Sequence, residues 1–177
     1  MEFSELAKLR QSDRRYQDKP VERAKIEQCI ETARLSPSAN NSQPWKFVIV
    51  DDPALKDKIG QCAAGMGMNK FVPQAPIIVA IVMEKTGALT SLASVIKDKE
   101  FPLLDIGIAA NQFCLQAADI GLGTCIVGWF DEKNVKKLLG VDRKKRIPLL
   151  ITVGYPASST REKSRKPLDK VCSWNKY

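Results

Sequence analysis

The sequence predicts one domain in which helices and strands share a core, and two observations support this. The chain has 177 residues, a length that suits a single domain and allows a sizeable core to be buried. Some segments repeat apolar residues at helical spacing, whereas others are short, uninterrupted apolar runs of strand length. We therefore treat residues 1–177 as one domain containing both kinds of element.

Helical spacing of apolar residues predicts the first two helices, and a proline marks the start of a third. In the first of them, Phe3, Leu6 and Leu9 would face inward. In the second, apolar residues recur at i, i+3, i+4 and i+7. A third would begin at Pro53, because proline is favoured at the first helical position. The predicted ranges are Phe3–Arg10, Glu22–Arg34 and Pro53–Ala64.

A long helix over Pro102–Ile120 is apolar nearly all round, which is typical of a helix in the middle of a core. Gly121 would end it. Asp131 is a good N-cap for a last helix that reaches Leu139. A short surface helix is also expected within Thr86–Lys99.

Four segments are predicted to be strands. Two of them, Ile77–Met83 and Ile147–Tyr155, are apolar without alternation, which indicates burial on both faces. Lys46–Val50 ends at an Asp-Asp-Pro sequence, and Thr124–Val127 leads into a turn at Gly128.

The composition directs the chemistry towards a cofactor. There is no histidine, which excludes the common Ser-His-Asp and Cys-His sites and removes the most frequent metal ligand. The five cysteines form no C-x-x-C pair, and most of them lie in apolar segments, which argues against a zinc site or a disulfide framework. We therefore predict no metal and no catalytic side chain, so that a bound cofactor would do the chemistry.

The charge of the chain is uneven. Its net charge is +8, and residues 133–177 alone contain 13 Lys and Arg against 3 Asp and Glu, a net of +10. A basic end suits a phosphate-bearing ligand, a nucleic acid or an acidic surface, although it is also compatible with an ordinary solvated surface. The N-terminus has no apolar signal core and no apolar run reaches membrane-spanning length, so we expect a cytoplasmic protein with no membrane partner.

Two short basic segments are candidates for holding a phosphate. In an extended chain Arg10, Ser12 and Arg14 would share one side, and Lys163 and Arg165 would do the same. Guanidinium groups recognise phosphate oxygens through paired hydrogen bonds. Each segment taken alone could equally be a solvated basic stretch.

A Ser- and Asn-rich loop between Leu35 and Trp45 contains two prolines. Its hydroxyls, amides and backbone N–H groups could bind the polar edge of a heterocycle, or could simply form turns. The glycines from Gly121 to Gly128 have the wrong spacing for a dinucleotide-binding fingerprint and follow a helix instead of opening one.

Together these segments resemble the nitroreductase family of FMN enzymes, and the resemblance spans essentially the whole chain. The matching motifs are Arg10/Ser12/Arg14, Pro37-Ser38 with Asn41-Ser42-Gln43-Pro44-Trp45, Gly121-Leu122-Gly123-Thr124, Gly128, Gly154-Tyr155-Pro156 and Lys163/Arg165. Gln11 and Asp13 depart from the family pattern, which usually has a second arginine and an apolar residue at these positions.

The resemblance implies an α+β fold in which helices flank a central mixed or antiparallel sheet. It also implies a homodimer with exchanged C-terminal segments. The phosphate and ribityl chain of FMN would be held by Arg10, Ser12, Arg14, Lys163 and Arg165. Pro37, Ser38 and Asn41 of the other subunit would line the flavin, and backbone around Ile126, Val127 and Gly128 would reach its reactive edge. Asn69 or Lys70 is a further candidate.

The function that the resemblance implies is reduction of nitroaromatics, quinones or similar conjugated acceptors by NADH or NADPH. Donor and acceptor would take turns at the flavin in a ping-pong mechanism. One alternative is a non-catalytic FMN-binding protein for storage or sensing. Another is a nucleic-acid-binding protein that uses its basic end, although no helix-turn-helix or zinc pattern supports it.

Overall fold

The computed structural model of the chain describes residues 1–85, Gly87 and 99–177. In this part of the chain five α-helices and four β-strands form an α+β fold. The helices are α1 (Phe3–Leu9), α2 (Arg23–Ala33), α3 (Pro53–Ala63), α4 (Phe101–Asp119) and α5 (Glu132–Leu139). The strands are β1 (Trp45–Val50), β2 (Ile77–Met83), β3 (Gly123–Val127) and β4 (Arg146–Gly154).

The four strands form one antiparallel sheet in the order β1-β2-β4-β3. β1 pairs along its whole length with β2, from Trp45 opposite Met83 to Val50 opposite Ile78. The N-terminal chain adds one short parallel contact to the free side of β3, where Ser12 lies beside Thr124. This contact brings the basic N-terminal segment to the edge of the sheet.

The core has two layers, one on each face of the sheet. Ile77, Val79 and Ile81 of β2 point into the layer formed with α2 and α4. The alternate residues Ile78 and Ala80 point into the layer that contains α3 and α5. Because both faces of β2 are covered, the apolar run needs no polar alternation, and the prediction of a buried strand is confirmed.

Capping residues mark helix ends in α3 and α5. The carboxylates of Asp52 and Asp131 accept hydrogen bonds from the backbone N–H groups of Leu55 and Asn134 and so cap α3 and α5. Gly140 ends α5 with a φ of 65°, a left-handed conformation that suits glycine. The predicted helices and strands within the described residues agree with the structure to within one or two residues at their ends.

Two expectations at the start of the chain and on the surface have different outcomes. Leu6 and Leu9 are half-buried, but Phe3 is 70% exposed, so the prediction that it faces inward is wrong for the single chain. Helical spacing aligned Phe3 with Leu6, but Phe3 lies at a surface groove that Leu104 and Ile108 of α4 also line. The helix expected within Thr86–Lys99 falls almost wholly outside the described residues.

The last twenty residues lie on the outside of the protomer. Apart from a single 3-10 turn at Leu168–Lys170 this segment is irregular, and its large apolar side chains are exposed: Leu168, Val171, Trp174 and Tyr177. All five cysteines are free thiols, of which Cys172 on this segment is exposed and Cys62 is half-buried. Among the described residues no helix has the length and apolar character needed to cross a membrane.

Candidate functional site

The basic N-terminal segment runs extended along β3, and its side chains alternate as the sequence predicts. The backbone N–H of Asp13 donates to the carbonyl of Thr124 over 2.8 Å. Gln11 and Asp13 are buried, whereas Arg10, Ser12 and Arg14 are half-buried or exposed. An extended segment places alternate side chains on opposite sides, so the three predicted phosphate-binding residues share the outer side.

The two basic segments meet at the end of α1. Lys163 donates from its ammonium group to the carbonyls of Ala7 and Lys8, the first over 2.9 Å. Its pKa lies below the usual value of 10.5, chiefly because of desolvation and further because the positive charges of Arg10 and Arg165 are near. The structure therefore gathers Arg10, Lys163 and Arg165 at one place, although the sequence separates them by about 150 residues.

No ion pair within the described part of the chain neutralises this group of cations, although the buried carboxylate of Asp13 is near enough to Arg10 for their charges to interact. None of the ion pairs found there includes Arg10, Arg14, Lys163 or Arg165. Like charges repel, and their proximity is costly unless an anion compensates them. The arrangement therefore suits an anion that carries several acceptor oxygens.

Arg14 and Ser12 also border the middle of β3. The guanidinium carbon of Arg14 lies 5.8 Å from the ring centroid of Phe71. Burial raises the pKa of the Cys125 thiol, while the charge of Arg14 and a hydrogen bond with Ser12 lower it. These contacts place both predicted residues beside the strand that carries Ile126.

The end of β3 presents backbone and a few exposed side chains. Ile126 is 39% exposed and Gly128 is exposed, whereas the side chain of Val127 is buried in the core. Val127 can therefore offer a ligand only its backbone. The side-chain amide of Asn69 donates to the carbonyl of Trp129 over 2.9 Å, so Asn69, which has a φ of 47°, is fixed at this edge.

The Ser- and Asn-rich loop holds an unusual backbone. Asn40, Asn41 and Gln43 have φ values of 51°, 53° and 46°, a left-handed region that costs non-glycine residues energy and is often kept at functional sites. The Ser38 hydroxyl accepts a hydrogen bond from the backbone N–H of Gln43 over 2.9 Å. The buried carboxylate of Asp105 on α4 accepts one from the N–H of Ala39 over 3.1 Å.

Two buried hydroxyls of this loop have no hydrogen-bond partner among the described residues, those of Ser36 and Ser42. Buried polar groups are normally satisfied, so an unpaired one requires an explanation such as a missing partner. Pro37 and Asn41, by contrast, are exposed. The loop therefore combines an exposed polar surface with two buried hydroxyls that have no partner among the described residues.

The predicted site residues fall into two groups in one protomer. The N-terminal and C-terminal basic segments and β3 are joined by direct contacts. No described contact of Pro37, Ser38 or Asn41 reaches that group, since the hydrogen bonds of Ser38 and Asn41 stay within the loop. Within the described residues, no group of three or more His, Cys, Asp or Glu could hold a metal ion.

Arg161 is part of this region and is missing from the residues predicted from sequence. Its guanidinium donates to the carbonyl of Ser12 over 2.8 Å, which ties the C-terminal segment to the N-terminal one. One signal could have found it, because Arg161, Lys163 and Arg165 alternate in the sequence as Arg10, Ser12 and Arg14 do.

Comparison with known protein families identifies the family of this chain. The model of the nitroreductase family matches residues 7–155. The chain belongs to the nitroreductase family. The matched range contains the first basic segment and the Ser- and Asn-rich loop, so the family membership predicted from these motifs is confirmed. Lys163 and Arg165 lie beyond the matched range.

Relatives and solved structures of nitroreductases agree with this assignment over nearly the whole chain. A Streptococcus pyogenes protein provisionally named an NAD(P)H nitroreductase is 31% identical, with 97% of this chain and 98% of the relative covered. A crystal structure of a Streptococcus pneumoniae nitroreductase family protein has a TM-score of 0.84 at 28% identity, covering 97% of this chain and 99% of that chain. An FMN-dependent nitroreductase from Clostridium difficile has a TM-score of 0.79 at 26% identity, covering 97% and 98%. The α+β nitroreductase fold is thereby confirmed.

Proposed function

We propose that this chain is an FMN-dependent oxidoreductase that uses NADH or NADPH to reduce nitroaromatics, quinones or similar conjugated acceptors. The observation that carries the proposal is the convergence of Arg10, Lys163 and Arg165, none of which forms an ion pair within the described part of the chain. The names of similar proteins, which include NAD(P)H nitroreductase and FMN-dependent nitroreductase, support the same cofactor and donor.

The cationic group fits the phosphate of FMN. A phosphate monoester carries about −1.5 to −2 charges near neutral pH and has three strong acceptor oxygens. Arg10 and Arg165 supply forked donors, Lys163 supplies an ammonium group, and the Ser12 hydroxyl lies between the arginines in the extended segment. Arg14 lies on the same side of that segment and would add a further cation on the side towards β3.

The polar edge of the flavin ring would face the end of β3. Backbone at Ile126, Val127 and Gly128 would reach it: Ile126 and Gly128 are exposed, Val127 lies between them, and Asn69 is held beside the same turn. The bound flavin supplies the hydride chemistry, which agrees with a chain that has no histidine. The chain orients the ring, donates hydrogen bonds to it and keeps competing reactions away.

A second copy of the chain would complete the site. Pro37, Ser38 and Asn41 form a preformed polar surface that one protomer does not bring to its own cationic group. The outer face of α4 exposes Leu104 and Ile108, at 59% and 42%. Exposed apolar faces of this kind mark interaction surfaces. A homodimer with exchanged C-terminal segments would cover this face and the apolar side chains of the last ten residues.

NADH or NADPH and the acceptor would use one binding surface in turn, which is the ping-pong order. The positive potential of the phosphate site would also attract the anionic nicotinamide cofactor. Because these donors are cytoplasmic metabolites, we place the enzyme in the cytoplasm.

The test is an absorption spectrum of the purified protein before and after addition of NADH or NADPH. We expect flavin bands at about one FMN per subunit that bleach with the donor and return when a quinone is added. An Arg10→Gln/Lys163→Gln double variant should lose most of the FMN, while Arg143→Gln, an exposed arginine outside this region, should keep it. A colourless protein that also fails to take up added FMN would contradict the proposal.

Storage or sensing of FMN is separated from catalysis by steady-state oxidation of NAD(P)H. A yellow protein whose flavin is not reduced by either donor would favour the non-catalytic alternative. Binding of nucleic acid is less well supported, because the sequence contains no helix-turn-helix or zinc pattern.

A further inference from the structure

Arg161 makes three contacts that join the two ends of the chain. Besides the hydrogen bond to the Ser12 carbonyl, its Nε donates to Gln11 Oε1 over 3.3 Å. Its backbone N–H donates to the same Gln11 oxygen over 3.1 Å. Both its side chain and its main chain are therefore fixed on the N-terminal segment, although the residue is exposed.

Gln11 in turn is oriented by the buried carboxylate of Asp13. Its Nε2 donates to Asp13 Oδ1 over 2.9 Å and to the carbonyl of Ser159 over 3.3 Å. A carboxylate can only accept hydrogen bonds, so the amide nitrogen of Gln11 must face Asp13 and its oxygen must face Arg161. The charges of Arg161 and Arg10 both act to stabilise the ionised form of Asp13 against the desolvation that burial imposes.

The position of this cluster relates it to the cationic group. Gln11 and Asp13 lie on the inner side of the segment whose outer side carries Arg10, Ser12 and Arg14. Arg161 is two residues before Lys163 and four before Arg165. The cluster of Gln11, Asp13 and Arg161 therefore fastens the segment that carries one half of the cationic group to the segment that carries the other half.

We propose that Arg161, held by Gln11 and by the carbonyl of Ser12, is a positioning residue for the phosphate-binding site. It sets the separation of Arg10 and Ser12 from Lys163 and Arg165, and thereby the affinity for the phosphate monoester of FMN. This inference rests on the proposed function. The contact is forked and uses the fixed plane of a guanidinium, so a lysine at this position would keep the charge but lose the geometry.

The experiment compares FMN with riboflavin, which is the same ring and ribityl chain without the phosphate. Dissociation constants are measured by flavin fluorescence on flavin-free wild type, Arg161→Gln, Arg161→Lys and Gln11→Leu. We expect the dissociation constant for FMN to rise about tenfold or more in all three variants, which corresponds to about 1.4 kcal/mol. The constant for riboflavin should stay within about twofold of wild type, because its binding does not use the cationic group.

Arg15→Gln is the matched control for loss of charge. Arg15 is exposed and lies in the same N-terminal segment, and its hydrogen bond to the C-terminal segment among the described residues is the one that its carbonyl accepts from the N–H of Ala157. We expect this variant to bind FMN within about threefold of wild type, since only long-range attraction is lost. Urea unfolding of each flavin-free variant shows which of them are folded, and the two Arg161 variants and Gln11→Leu are independent routes to the same result.

Three outcomes would overturn the inference. FMN binding by Arg161→Gln that matches wild type or Arg15→Gln would show that position 161 has no specific effect. Equal weakening of FMN and riboflavin would indicate general loss of structure. If Arg161→Lys bound FMN as tightly as wild type, a positive charge at position 161 would be sufficient without the geometry of the guanidinium. In each case wild type still binds FMN, so the proposed function stands; a wild type that binds no flavin would overturn both.

Discussion

Gly123 lies so close to Asp13 that a Cβ at position 123 would be 2.7 Å from Asp13 Oδ2. The carboxylate cannot easily move away, because Gln11 donates to its other oxygen and the Asp13 N–H is bonded to Thr124. The glycine at the start of β3 is thus what allows a charged side chain to be buried between the basic segment and the sheet.

We expect Gly123→Ala to lower the free energy of unfolding by about 1–3 kcal/mol, the usual cost of forcing extra volume into a packed site. Gly65→Ala is the control, since a Cβ there would meet no described atom within 4 Å. Urea unfolding of the flavin-free proteins measures both. Equal midpoints for the two variants would show that Asp13 can move aside at little cost.

The stability of the protein should depend on pH through Asp13. Burial raises the pKa of this carboxyl above its usual 3.8. A carboxyl group with a raised folded-state pKa binds its proton more tightly in the folded than in the unfolded protein. Its ionisation therefore opposes folding above the raised pKa, and this penalty disappears as the pH falls through that pKa towards 3.8.

Asp13→Asn should accordingly raise the urea midpoint of the flavin-free protein at pH 7.5, and the gain should shrink towards pH 4. Asp119→Asn, at an exposed position, is the matched control for removal of a carboxylate. A lower midpoint for Asp13→Asn at pH 7.5 would mean that the attraction between Asp13 and the arginines outweighs the cost of burial.

The conformation of the Ser- and Asn-rich loop should depend on Asp105. Without this carboxylate the N–H of Ala39 loses its acceptor, and loss of a partner by a buried group costs about 1–3 kcal/mol. We expect Asp105→Ala to destabilise the protein by this amount and to speed hydrogen exchange at the Ala39 amide. Asp105→Asn keeps an acceptor oxygen and should show a smaller change in both measurements; identical behaviour of the two variants would argue against the hydrogen bond.

The oligomeric state should depend on the outer face of α4. An Ile108→Glu substitution places a charge on the exposed apolar face, and we expect it to convert a dimer of about 39 kDa, twice the 19.7 kDa of one chain, into monomers. Light scattering during gel filtration measures the mass. Lys133→Glu on the exposed side of α5 is the control for the change in charge. A dimer that persists in Ile108→Glu would place the interface elsewhere.

The elements of the fold could be predicted because their signals are local. The run from Ile77 to Met83 is a strand with the predicted ends, and Asp131 caps α5 as its position before an amphipathic segment indicates. The order β1-β2-β4-β3 could not be read in this way, since strand pairing depends on contacts between residues far apart in sequence. Phe3 shows the same limit: spacing places it on a face with Leu6, but only the assembled fold determines whether that face is covered.

The candidate site, like the fold, could be predicted from the sequence only in part. The alternation of Arg10, Ser12 and Arg14 follows from the period of an extended chain, and the structure has it. The bond from Arg161 to Ser12 spans 149 residues, and no local pattern encodes such a contact. The placement of Asn69 beside Trp129 likewise required the three-dimensional fold.

The thiol of Cys172 can report on the surroundings of the C-terminal segment. The thiols of Cys29, Cys114 and Cys125 are buried, and burial raises the pKa of each, including that of Cys29 to about 12, so they react slowly with alkylating reagents. Cys172 lies on the exposed C-terminal segment. Its rate of labelling therefore reads out the surroundings of that segment directly: fast modification indicates a free chain end, and protection that disappears on dilution indicates an end that is sheltered by another molecule.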